Sequence, residues 1–144
     1  MIQGMFDNGA MPALERMVQF TAARHRVLSN NIANLSNPFF KARDLDPKSF
    51  QAALSDAIDA RRRTVNPTSG PLRLNDTDQL DIRPDGIVAD AGEVNDTILR
   101  HDESNLDLER TMQRLAENTL AHNTSIELIR NQFALIESAI RERT

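Results

Sequence analysis

The chain contains no cysteine, tryptophan or tyrosine, and phenylalanine is its only aromatic type. Without thiols there is no disulfide scaffold, no thiolate zinc site and no cysteine nucleophile, though the redox compartment stays open. Aromatics are 4% of a sequence that is 40% hydrophobic. Core packing must therefore rest on Leu, Ile, Val, Met and Ala, the residues of helix–helix seams. Five glycines in 144 residues leave few tight backbone approaches, and neither a phosphate-cradling glycine loop nor a Gly-x-Ser-x-Gly elbow is present. Long apolar runs are missing as well; none approaches the ~20 residues that span a bilayer. Residues 1–10 hold Asp7 and no basic side chain, unlike a secretory signal, so export from the cytoplasm would need a route that reads something else.

Charge is present but unevenly placed. Residues 1–41 carry four basic and two acidic side chains, residues 42–104 eight and thirteen, and residues 105–144 five and six. The middle is the acidic, solvent-loving part, and the net of −4 argues against nucleic acid, which asks for a basic face. The one basic run, Arg61 to Arg63, reads as a helix end complementing the dipole. His25, His101 and His122 are the only histidines, and nothing in their spacing converges them on carboxylates, so no metal is expected. Asn75 to Asp81 fails as a calcium loop, because Leu80 and Asp81 stand where an oxygen ligand and glycine are required. No nucleophile, base and orienting group can be assembled, so no catalytic residue, cofactor or small-molecule substrate is expected.

What is there is helical rhythm. Met11, Leu14, Val18, Thr21, His25, Leu28, Ile32 and Leu35 alternate steps of three and four, with Pro12 in the first turn and Asn34, Asn37 and Pro38 ending the helix. A short helix is predicted from Asp46 as N-cap and Pro47, with Phe50, Leu54 and Ile58 on one face. Residues 64–104 gather three of the six prolines and three of the five glycines; Asp85-Gly86 between Leu80-Asp81-Ile82 and Ile87-Val88-Ala89 signals a hairpin. Ser104 and Asp107 offer a capping box for a last helix. Its seam runs through Leu108, Met112, Leu115, Thr119, His122, Ile126, Ile129, Phe133, Ile136 and Ile140, with a second apolar row at Leu120, Leu128 and Leu135. A stripe that wide suits packing on more than one neighbour. Thr21 and His25, then Thr119 and His122, could face each other if the long helices pair antiparallel.

The expected fold is mainly α: long N- and C-terminal helices packed as an α-helical coiled coil, around a small irregular, β-containing middle insert. The expected divisions are residues 1–41 (first helix and terminating motif), 42–63 (short helix), 64–104 (variable acidic loop and strands) and 105–144 (last helix).

One stretch is more specific than periodicity. Leu28-Ser29-Asn30-Asn31-Ile32-Ala33-Asn34-Leu35-Ser36-Asn37-Pro38 resembles the signature of the flagellar rod and hook proteins, where a helix ends in Ser-Asn-Asn-Ile-Ala-Asn and a proline follows closely. Lys41-Ala42-Arg43-Asp44-Leu45, Leu106 to Met112 and Leu115 to Asn118 are similar to the proximal rod members. Together these stretches cover about the first 60 and last 40 residues, and the insert between them matches little. The resemblance departs at the corner, where Asn37 and Phe39-Phe40 replace the usual Thr before the proline and Gly-Tyr after it; loss of the glycine leads us to expect a different turn.

The resemblance implies a structural, non-enzymatic role in the basal body rod. It further implies export through the flagellar secretion apparatus without a cleaved signal, assembly in the periplasm, and contacts with itself, other rod proteins, the rod-to-ring adaptor and the export gate. The residues expected at the assembly interface are Leu14, Val18, Leu28, Asn30, Asn31, Ile32 and Asn34, with Met112, Leu115, Ile126, Ile129, Phe133 and Ile136. The rival within the family is another rod subunit; outside it, a cytoplasmic helical secretion chaperone binding its client through the last helix. Leu28→Pro should abolish assembly, because proline inside a helix costs about 3 kcal/mol or more; retained motility of the substituted strain would overturn the role of the first helix.

Overall fold

The apolar pattern led by Pro12 folds as helix α1, Met11–Ala33, in a computed structural model that describes residues 9–37, 39–66, 70, 72–83, 86–94 and 108–141. Proline in the first turn costs α1 no hydrogen bond, since that N–H would be orphaned anyway. At the other end the backbone N–H of Asn34 reaches Asn30 O and Asn31 O, and its side-chain amide donates to Asn30 O at 2.8 Å. The last turn is thereby closed before the chain reaches position 38.

Helix α2, Pro47–Arg62, starts where Asp46 holds an extended backbone and its carboxylate accepts from Lys48 N at 3.0 Å and Ser49 N at 3.2 Å. It ends in Arg61 and Arg62, positive charge at the negative end of the dipole. Short strands join the helices. β1 (Arg43–Asp44) pairs antiparallel with β4 (Gly92–Glu93), and β2 (Leu80–Arg83) pairs antiparallel with β3 (Gly86–Ala89), in the register Leu80↔Ala89 to Arg83↔Gly86. This is the hairpin signalled by Asp85-Gly86, whose connecting residues 84–85 lie outside the described ones. Helix α3, Leu108–Arg141, has 34 residues and is about 51 Å long; its expected cap at Ser104 and Asp107 also lies outside them. Among the described residues no helix is long and apolar enough to cross a membrane.

The core forms where α1, α2 and the middle segment meet. Phe20 of α1, Leu45, Phe50 and Ala57 of α2, and Leu72, Leu74 and Leu80 bury their side chains together, with Ala13, Met17, Ala23 and Val27 packed against them. Phe20 and Phe50 stack with ring centroids 4.1 Å apart and planes 2° from parallel. The middle segment is thus no loose insert, because three of its leucines complete the core. Helix α1 is two-faced: Ala13, Met17, Phe20 and Val27 look into this core, and Thr21 with its neighbours looks toward α3. Phe50 is fully buried, so Phe50→Ala should lower stability by about 3–5 kcal/mol, with urea unfolding as the measure and Phe50→Leu costing visibly less.

Candidate assembly interface

The two long helices are positioned by one charged group that belongs to neither. Asp44, on β1, accepts from Arg24 Nε at 2.8 Å and from a terminal guanidinium N–H at 2.7 Å, and also from its neighbour Leu45 N at 2.8 Å. Arg114 of α3 approaches the same carboxylate at 3.8 Å. Arg24 and Asp44 expose 8% and 14% of their side chains. A buried bidentate pair of this kind fixes geometry as well as charge. With Thr21 meeting Asn118 and His122, and Arg24 meeting Arg114 across Asp44, higher numbers on α1 face lower numbers on α3. The helices are antiparallel.

The asparagines of the signature stretch do three different jobs. Asn31 is 2% exposed; its amide donates to Arg43 O at 2.6 Å and its oxygen accepts from Arg43 N at 3.1 Å. It therefore clamps the strand after the corner onto the helix before it. Asn34 bonds Asn30, closing α1. Asn30 stays exposed and lines a groove of about 450 Å³ with Asn37, Phe39, Phe40, Lys41, Arg43 and Glu93. At this corner Phe39 has φ +64°, the left-handed conformation that favours glycine. A phenylalanine thus occupies a glycine-type conformation, at a cost of about 1–2 kcal/mol.

Where α1 and α3 cross, the contact is polar. Thr21 Oγ1 donates to Met17 O at 2.8 Å and shares a hydrogen bond with His122 Nδ1 at 2.8 Å. Asn118 donates to Thr21 O at 2.8 Å. His25 and Thr119 join His122, Ala22 and Arg26 around a cavity of about 300 Å³; of the four polar positions singled out in the sequence, Thr21 and His122 bond directly. The buried residues of α3 are Thr111, Asn118 and Ser125, seven apart, a spine of small and polar side chains. The apolar seam predicted for α3 is rotated off this line. Met112, Ile126, Phe133 and Ile140 share one heptad row on one side of the spine. Leu128 and Leu135 share a row on the other, with Leu120 beyond it. Met112 is 51% exposed, Ile140 56%, Leu120 70% and Leu135 63%.

The thirteen expected interface residues therefore fall into three groups. Leu28 and Asn31 are buried within the chain, Leu28 completely. Leu14, Val18, Ile32, Asn34, Leu115, Ile126, Ile129 and Ile136 are half-buried, whereas Asn30, Met112 and Phe133 are exposed. Sequence reasoning missed Arg24, Asp44, Asn118 and Phe39. Arg24 was legible only as a charge interrupting the apolar row Met17, Phe20, Val27, and Phe39 only as the missing glycine. Among the described residues, no group of three or more metal-ligating side chains converges. Asp44→Asn would leave a buried guanidinium uncompensated and should cost about 3–5 kcal/mol; combining it with Arg24→Met should recover part of that loss in a chemical-denaturation cycle.

Comparison with known proteins points the same way as the signature stretch. No family model matches the chain. It is 26% identical over 133 residues to the flagellar basal body rod protein FlgB of Bacillus subtilis (strain 168), covering 92% of this chain and 94% of that protein. It is 24% identical over 127 residues to the FlgB of Buchnera aphidicola subsp. Baizongia pistaciae (strain Bp), covering 87% and 89%. The similarity thus runs through the middle segment as well as the two long helices.

Proposed function

We propose that this chain is a structural subunit of the bacterial flagellar basal body rod, a proximal one, that assembles through α1 and α3 into a tube and performs no catalysis. The observation that carries the reading is the arrangement of α3. Its fully buried positions are Thr111, Asn118 and Ser125, Leu115, Ile129 and Ile136 beside them are half-buried, and exposed apolar side chains remain on both flanks, Met112 and Ile140 on one and Leu128 and Leu135 on the other. A helix made for one partner would bury its apolar face there. Two different flanks ask for two neighbours, and contacts between unlike surfaces are heterologous, building rings or open helical assemblies instead of closed dimers. A rod is such an assembly. Similarity to rod proteins over nearly the whole chain supports the same reading.

In this reading the exported chain meets itself and other rod proteins along the flanks, and its ends face the rod-to-ring adaptor and the export gate. The Lys41-to-Leu45 stretch, through Asp44, holds the helices in the register that displays both flanks. The thirteen interface residues divide accordingly: Met112, Ile126 and Phe133 contact neighbours, while Leu28 and Asn31 hold the subunit in shape. Leu120→Glu and Leu128→Glu should change the stability of the isolated chain by no more than about 0.5 kcal/mol, as exposed substitutions do, and should remove it from the rod. Mass spectrometry of purified hook–basal-body complexes measures this. Wild-type chain at the level of rod subunits, with the Glu variants absent, is the expected result. Wild-type chain found only in the cytoplasm would transfer the reading to a secretion chaperone.

A further inference from the structure

Residues 86–94 run as one extended segment with strand neighbours on a single edge. β3 pairs with β2 and β4 with β1. Bonds from Asp90 N to Gln79 O at 2.8 Å and from Val94 N to Ala42 O at 2.9 Å carry both ladders past their ends. In an antiparallel ladder only alternate residues bond the partner strand. Here these are the even-numbered ones, so β2 and β1 lie end to end along the same edge. Their own outward residues agree with this phase. Leu80 of β2 bonds Thr77 in both directions, and both backbone groups of Arg43 of β1 are held by Asn31. Gln79 closes the join between the two strands. Its amide oxygen accepts from Asp46 N at 2.9 Å, and a Cβ on residue 92 would stand 2.6 Å from its nitrogen, so only glycine fits there.

The odd-numbered residues Ile87, Ala89, Ala91 and Glu93 therefore turn their N–H and C=O groups to the opposite edge. Among the described residues nothing bonds these groups. Buried backbone groups are almost always paired, so this edge faces water, over about 20 Å from residue 87 to residue 93. Its register is held. The side chains of Ile87, Ala89 and Ala91 pack against the core, and a slip by one residue would turn them out. β2 is closed at its outer edge by Thr77 and by Asp76, which accepts from Ile82 N, and β1 by Asn31; the 87–93 edge has no such cover. A pre-formed, unpaired edge recognises the backbone of another extended strand.

Charge selects the strand. Asp90 is exposed on the outer face, beside Val88, and its carboxylate has no partner among the described residues. Asp81 pairs with Arg83, and Glu93 with Lys41. The register that joins the whole edge to its own copy sets 87 against 93, 89 against 91 and Asp90 against Asp90. Like charges directly opposite destabilise a ladder, so Asp90 acts against a second copy and in favour of a cation.

We infer that the 87–93 edge takes an added strand from a different protein, an extended segment with Lys or Arg opposite Asp90. The inference goes beyond the rod reading and does not rest on it.

Nuclear magnetic resonance on the full, isotope-labelled chain tests it. In the free chain the amides of Ile87, Ala89 and Ala91 should exchange with solvent about tenfold faster, or more, than the laddered amides of Val88 and Asp90. The probe is the peptide Thr-Val-Thr-Lys-Thr-Val-Thr, which should shift the resonances of residues 86–94 and slow exchange at the three outward amides. Glu in place of its Lys should weaken binding about threefold or more, and N-methylation of its central residues should abolish it. Ala89→Pro removes an outward N–H and no ladder bond, a place where edge strands accept proline; its Tm should stay near that of the wild type while peptide binding is lost. Should that variant unfold, the N-methylated peptide still decides. Protected outward amides in the free chain, equal binding of the N-methylated peptide, or no binding of the probe at millimolar concentration overturns the inference. Self-association that protects these amides overturns it too, because the occupant is then a second copy. None of these outcomes alters the basal-body result for Leu120→Glu and Leu128→Glu.

Discussion

The carboxylate of Asp44 is shared by three parts of the chain that have no local reason to meet. Arg24 reaches it from α1, the Leu45 N–H from its own segment, and Arg114 approaches it from α3. Burying such charges costs several kcal/mol per ion, which Coulomb attraction offsets only in good geometry, so the node is poor evidence for stability. Its value lies in position. The face of α1 that meets the core is Ala13, Met17, Phe20, Ala23 and Val27, and apolar contacts of that kind tolerate repacking. A slip of α1 by one turn moves it 5.4 Å, which breaks both guanidinium hydrogen bonds at once. The two hydrogen bonds between Asn31 and the Arg43 backbone act along the same line, one turn or two further on.

Fixing the register matters because the fully buried positions of α3 are Thr111, Asn118 and Ser125, small or polar side chains with little apolar area. The hydrogen bond from Asn118 to Thr21 O contributes about 1 kcal/mol, whereas burial of apolar area contributes about 25 cal/mol per Å². The flanks of α3 leave Met112, Leu120, Leu128 and Leu135 exposed, and in the proposed assembly neighbours would cover them. The polar spine also discriminates. Asn118 has its carbonyl partner, and His122 its hydroxyl, in a single alignment with Thr21, as buried polar residues do at helix seams. In the proposed assembly, subunit shape and assembly strength would thereby fall to different faces of one helix.

Helices α1, α2 and α3 and the hairpin were legible, because each rests on local signals: three-four spacing, Asp46 before Pro47, Asp85-Gly86 between Leu80-Asp81-Ile82 and Ile87-Val88-Ala89. The facing of Thr21 and His122 was legible as well, since an antiparallel pair brings equivalent seam positions together. Three features were not. The periodicity of α3 locates where apolar residues recur, but the contact face was set by Asn118 and Ser125, polar residues that hydrophobic counting ignores. Arg24 and Asp44 are 20 residues apart, and a charged side chain inside a helical stripe looks the same whether it faces water or a buried partner. The role of the middle segment was hidden too. Its acidity and its Pro and Gly content mark it as solvated, yet Leu72, Leu74 and Leu80 complete the core.

The corner at Phe39 depends on these same anchors. A glycine there would satisfy the backbone at no steric cost, so folding of the isolated chain gives no reason for a phenylalanine at φ +64°. The strain is borne because both flanking segments are fixed independently of it, by the Asn34 cap on one side and by the Asn31 clamp and the Asp44 node on the other. The elements that set the register of the long helices therefore also fix the backbone on both sides of this strained residue.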